Sequence, residues 1–100
     1  MGRWGAGWLK SALKEWKKLG PNARELFAKK LKERLSNPHV PSAAVSGGTN
    51  LHKIKLRQLG YRLVYSVFDT TVTVTVLAVG KRNRSEVYDL ALSREKADKP

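Results

Sequence analysis

His52-Lys53-Ile54-Lys55-Leu56-Arg57 alternates strictly, with His52, Ile54 and Leu56 on one face of an extended chain and three cations on the other. Working outward from it, Gln58-Leu59-Gly60 marks a turn, and residues 61–68 predict a second strand. Asp69-Thr70 makes the next turn, and residues 71–79 predict a third strand. In that strand Val72, Val74, Val76 and Ala78 share one face, opposite Thr71, Thr73 and Thr75, and Gly80 is its expected break. Three strands joined by tight turns make an antiparallel meander. His52, alternating with the cations, is expected to pack on the inner face.

Upstream the period changes. Gly2, Gly5 and Gly7 interrupt Trp4 and Trp8, which makes residues 1–9 a poor strand and a worse helix. Ser11 is placed to cap a short helix in which Leu9, Leu13 and Trp16 share a face. Leu19-Gly20-Pro21 ends it. Asn22 followed by Glu25 has the form of a capping box and opens a second helix over residues 23–35. Its expected buried stripe is Phe27, Leu31 and Leu35, with Ala23 and Ala28 alongside. Residues 36–50, with Pro38, Pro41 and Gly47-Gly48, predict a loop. Downstream, Ser85 is placed to cap a short helix carrying Val87, Tyr88, Leu90 and Ala91, and residues 94–100 form a polar tail. Together these predict one α+β domain over residues 1–100, in which an N-terminal helical hairpin packs on a curved antiparallel sheet and a short helix ends the chain. One sheet face is covered by the hairpin. The other is expected to lie open, with Lys53 and Lys55 pointing to it.

Charge narrows the partner. Twenty Lys and Arg against 8 Asp and Glu leave a net +12, while a 41% hydrophobic fraction suffices to fold. That imbalance favours a polyanion, and nucleic acid before a membrane surface. Cysteine is absent, and no stretch approaches the roughly 18 apolar residues of a membrane span. A cytoplasmic protein without membrane contact is expected. The two histidines, His39 and His52, and the scattered Asp69, Asp89 and Glu86 offer no predicted metal cluster. Ser66 and Ser85 lack a recognisable base with an orienting third group.

What remains is a set of cations from three segments with nearby tyrosines: Lys53, Lys55, Arg57, then Arg62, then Lys81, Arg82 and Arg84, beside Tyr61, Tyr65 and Tyr88. Folding gains nothing by gathering like charges. Such a set suits cleavage of RNA by its own 2′-hydroxyl without a metal or other cofactor, because fixed cations stabilise the phosphorane's extra charge more than the ground state. A lysine among other cations has its pKa lowered towards a value useful for proton transfer, whereas an arginine stays charged and clamps phosphate. Trp4, Trp8 and Trp16 are expected to pack rather than stack on bases, and Tyr61 and Tyr65 to lie in the core. For Tyr88 the pattern alone leaves packing and function open. Lys29, Lys30, Lys32 and Arg34 form either a solvated helix face or an RNA contact.

Three motifs in register now resemble a known family: residues 12–20, Ala-Leu-Lys-Glu-Trp-Lys-Lys-Leu-Gly, then Lys53-Ile54-Lys55-Leu56-Arg57 with Gly60-Tyr61-Arg62-Leu63-Val64-Tyr65, then residues 79–88 from Val79 to Tyr88. They are similar to the RelE toxins of the RelE/ParE superfamily, in type II toxin–antitoxin systems of bacteria and archaea. The resemblance spans residues 11–92 and implies a microbial-RNase-like fold. It implies a ribosome-dependent messenger-RNA endonuclease that enters the 30S A site and cuts the exposed codon, inhibiting translation. By that resemblance the catalytic set is Lys53, Lys55, Arg62, Arg82 and Tyr88, with Lys53 the base. Lys55 and Arg82 would stabilise the transition state or protonate the leaving oxygen, Arg62 would clamp phosphate, and Tyr88 would stack on or orient the substrate. Arg57, Lys81 and Arg84 are left as phosphate contacts, and Lys29, Lys30, Lys32 and Arg34 as ribosome contacts. The implied partners are a RelB-like antitoxin able to displace the helix bearing Tyr88, and operator DNA reached only through that antitoxin. The chain departs from the family pattern at its Gly/Trp segment over residues 1–10 and at Ser46, where relatives carry a basic residue. The alternative these departures motivate is a catalytically weakened RNA- or ribosome-binding module.

Overall fold

A computed structural model describes residues 4–48, 50–81 and 86–98. Among them a four-stranded sheet is ordered β1-β4-β3-β2, with β1 Gly5–Trp8, β2 Leu51–Leu56, β3 Tyr61–Phe68 and β4 Thr73–Lys81. Helices α1 Lys10–Lys17 and α2 Pro21–Arg34 connect β1 to the region before β2, and α3 Glu86–Asp98 follows β4. The fold is α+β. The meander β2-β3-β4 is antiparallel as its period-two pattern requires, with Lys55 opposite Arg62 and His52 opposite Tyr65. The turn before β3 closes through Gly60, whose N–H donates to the Leu56 carbonyl at 2.8 Å and whose φ of +72° is a left-handed conformation that favours glycine.

Several local expectations give way to tertiary packing. The Gly/Trp segment does form a strand, parallel to β4 from Gly5 opposite Thr73 to Trp8 opposite Val76, so the sheet is mixed. Backbone pairing to a finished neighbour outweighs the weak intrinsic strand preference of glycine. Trp8 and Trp16 meet edge to face at 4.9 Å, and Trp16 lies 6.3 Å from Phe27. Helix α1 starts at Lys10 after Leu9, not at a Ser11 cap, and buries Ala12 while leaving Leu13 38% exposed. Helix α2 opens on Pro21 at its first position, with Gly20 before it, in place of the Asn22 capping box, because Pro's fixed φ already suits a helix start. Its buried stripe is Ala23, Phe27 and Leu31, while Leu35 is half-buried and Ala28 exposed. The loop over residues 36–50 contains a short 3-10 turn, Pro41–Ala43, and Ala44 bridges to His52.

Strand β4 runs through Gly80 and is irregular at Leu77: Val64 faces Ala78 but Tyr65 faces Val76. The extra residue is a bulge, and it reverses the facing of the residues beyond it. Val74, Val76 and Val79 pack with Ile54, Leu63, Tyr65 and Phe27 beneath the helical hairpin. Leu77 and Ala78 join Leu51, Val64, Val45, Val87 and Ala91 on the other face. Ala78 therefore does not share a face with Val76. Nor is that second face open, because α3 and Val45 cover part of it. Gly80 permits this approach, since a Cβ there would stand 3.2 Å from Val87 Cγ2.

The C-terminal helix also extends through Arg94, which was expected in a polar tail. Arg94 is an anchor. Its guanidinium donates to both carboxylate oxygens of Glu15 at 2.9 Å and to the Leu77 carbonyl at 2.8 Å, while the Val79 N–H donates to Glu15 at 3.0 Å. Strand β1 ends opposite Val76, so these two side chains satisfy β4's backbone groups beyond that end and at the bulge. The expected Ser85 cap lies outside the described residues.

Candidate nucleic-acid interface and active site

Alternation along β2 sends His52, Ile54 and Leu56 beneath the hairpin and leaves Lys53 and Lys55 on the α3 side. Register then matters more than sequence distance. Lys55 faces Arg62 across the β2–β3 ladder, and Arg62 faces Gly80 across the next. Helix α3, resting on Gly80 through Val87, carries Tyr88 over these cations. Lys53 Nζ lies 5.7 Å from the Tyr88 ring centroid and Arg62 Cζ 5.0 Å. Both distances are within the range of cation–π attraction, which helps hold like charges together around one ring. The Tyr88 hydroxyl is buried and makes no hydrogen bond among the described residues. It is a polar group with unused capacity beside two cations.

Thus Lys53, Lys55, Arg62 and Tyr88 come together on one sheet face. Arg57 is exposed at the start of the turn and lines a cleft of about 150 Å³ with Lys55, Gly60 and Arg62. Lys81 is exposed at the end of β4, opposite Tyr61. Arg82 and Arg84 lie outside the described residues. A second cleft, of about 260 Å³, is lined by Ser46, Lys53, Tyr88 and Asp89. Ser46, where the chain departs from the family pattern, therefore borders the same site. Among the described residues no three His, Asp or Glu side chains converge as metal ligands.

The flanking residues sort by burial. His52 is buried and stacks on Tyr65 at 5.5 Å, on the opposite sheet face from Lys53. Burial pushes its imidazole below the ordinary value, although a hydrogen bond with the Asn50 backbone opposes this. Tyr65 is fully buried as expected and Tyr61 packs at the core's edge. Burial raises the Tyr65 phenol above its ordinary value, although Arg34 opposes this. Lys29, Lys30 and Lys32 are exposed on α2. Arg34 is turned inward, donating to the Tyr65 hydroxyl at 2.9 Å, while that hydroxyl donates to the Pro38 carbonyl at 2.8 Å. Sequence reasoning found no role for His39. It pairs with Asp69 at 2.7 Å and meets Trp4 edge to face at 5.8 Å, contacts that no local pattern signals.

The family model describing the ParE toxin of the type II toxin–antitoxin system, parDE, matches residues 7–86. The chain belongs to the RelE/ParE toxins. Within that family it is 54% identical over 83 residues to a RelE-like toxin protein of Escherichia coli, covering 83% of this chain and 87% of the relative. Over the same lengths it is 53% identical to the mRNA interferase toxin RelE of E. coli strain K12. The fold matches E. coli toxin RelE in its free state, in a variant with two arginines replaced by alanine, at a TM-score of 0.86 and 45% identity, over 93% of this chain and 98% of that one. It also matches the toxin of the intact E. coli RelBE toxin–antitoxin complex at a TM-score of 0.78 and 46% identity, covering 81% and 99%. No helix among the described residues is long and apolar enough to cross a membrane.

Proposed function

We propose that this RelE/ParE toxin is a messenger-RNA endonuclease that acts in the ribosomal A site of the 30S subunit and cuts RNA through its own 2′-hydroxyl. The observation that carries this reading is the convergence of Lys53 and Arg62 on Tyr88, with Lys55 opposite Arg62 on the same sheet face. It is supported by the 53% identity to a protein named as an mRNA interferase. Lys53 takes the 2′-hydroxyl proton as the 2′-oxygen attacks phosphorus. The new bond to the 2′-oxygen forms and the bond to the 5′-oxygen breaks. Lys55 or Arg82 stabilises the charged phosphorane or supplies the proton that the 5′-oxygen takes, and Arg62 holds a non-bridging oxygen. Tyr88 stacks on a base or hydrogen-bonds near the phosphate. The products are a 2′,3′-cyclic phosphate and a 5′-hydroxyl, and no metal or cofactor is needed because the protein's own cations carry the electrostatic load. Arg57, Lys81 and Arg84 contact neighbouring phosphates, and Lys29, Lys30 and Lys32 face ribosomal RNA.

A RelB-like antitoxin is the proposed inhibitor, by likeness to the RelBE complex, and operator DNA is met only through it. Primer extension on programmed ribosomes tests the reading. Arg82→Ala, or Lys53→Ala with Lys55→Ala, is expected to abolish A-site cuts and growth arrest while circular dichroism and melting stay near wild type. Full cleavage by either variant would sink the assignment. Ribosome occupancy by the unmodified chain without any cut would favour the binding-only module instead.

A further inference from the structure

Two leucines are exposed where folding does not ask for them: Leu26 on α2 and Leu59 in the β2–β3 turn, each 39% accessible. They stand in the same cleft, about 400 Å³, between the start of α2 and the end of β2. That volume is in the range of a small-molecule site. Lys30, Lys55, Arg57 and Gln58 also line it. An apolar wall, several cations and an amide form a combination suited to a nucleotide: the wall takes the face of a base, the cations its phosphate, and the amide a base edge.

Continuity selects RNA over a protein segment. Lys55 and Arg57 line this cleft and also the neighbouring one that contains Arg62. An occupant reaching from one to the other must carry anionic groups repeatedly along its length, as a phosphodiester chain does. We propose that the cleft is a subsite for an RNA nucleotide flanking the scissile bond, its base resting on Leu26 and Leu59 and its phosphate on Arg57. This rests on the endonuclease reading above and extends it. The turn at Leu59 then becomes a determinant of sequence context, separate from the residues that move protons.

The test is a coupling experiment on programmed ribosomes. Wild type and a Leu26→Ala/Leu59→Ala variant are assayed for kcat/KM on messages carrying an abasic site at each of the two nucleotides on either side of the cut. Each leucine is 39% accessible, so melting of the variant is followed alongside to separate lost cutting from lost folding. One abasic position is expected to slow wild type by about tenfold, the scale of a lost apolar pocket contact. The variant should be slowed about tenfold on intact message and no further by that abasic site. Losses that multiply at every position, or a variant that cuts intact message at the wild-type rate, would overturn the subsite. If that fast variant also binds the cognate antitoxin more weakly, the cleft belongs to the protein partner. Absence of cutting by wild type would instead bring down the endonuclease reading, and the subsite with it.

Discussion

His52 is one residue from the proposed base and on the far side of the sheet from it. Burial holds its imidazole neutral, with a folded pKa below the unfolded value of 6.5. Between those two values the unfolded chain binds more protons than the native one, so stability is fully present above about pH 6.5 and falls as pH drops through the folded pKa. Thermal melts from about pH 7.5 to about pH 5 should therefore show a declining Tm, and His52→Gln should flatten that decline. A decline of equal steepness in the variant would remove His52 as its cause. The inward position of His52 was legible from alternation alone. The role of His39 was not, because its contacts, Asp69 and Trp4, lie about thirty residues away or more.

Among the elements, α3 has the most to lose. Its hydrophobic pattern predicts a short helix, yet it reaches Asp98 because Arg94 binds Glu15 on α1 and the bulged Leu77 on β4. Both charged side chains are more than three-quarters buried, at 20% and 24% exposed. Arg94→Ala would leave Glu15 without its forked partner and the Leu77 carbonyl without its donor. The expected cost is about 2 kcal/mol, or roughly 10 °C in Tm. Because the same helix carries Tyr88, message cleavage should fall as well, and Arg94→Lys should restore only part of both. Melting and primer extension measure these two losses. Wild-type values in both for Arg94→Ala would show that α3 is seated by its apolar contacts alone. The strands were legible from their period. The bulge was not, since Val76-Leu77-Ala78-Val79 is uniformly apolar and offers no alternation to break.

For the whole molecule, net charge sets the mode of association. On the proposed function, a chain at +12 that gathers cations on one surface is expected to bind RNA largely by releasing counterions, so affinity should fall linearly with salt on logarithmic axes. Arg57→Gln with Lys81→Gln is expected to reduce that slope by roughly 0.7 for each phosphate contact removed. Binding isotherms of programmed ribosomes across a salt series would reveal it, and an unchanged slope would take both residues out of the interface. By itself the sequence determined the α+β class, the strand period, the excess of cations and the three motifs shared with the toxin family, because each is written in local spacing or composition. Only the tertiary structure decided that a glycine-rich edge strand pairs with β4, that Arg94 anchors the last helix, and that Leu26 and Leu59 share a cleft. Those outcomes depend on contacts between residues far apart in the chain, whose energies no local pattern encodes. The cations themselves were visible from the start; what brought Lys53 and Arg62 to one tyrosine, with Lys55 opposite Arg62, was the register of the strands and the seat of one helix.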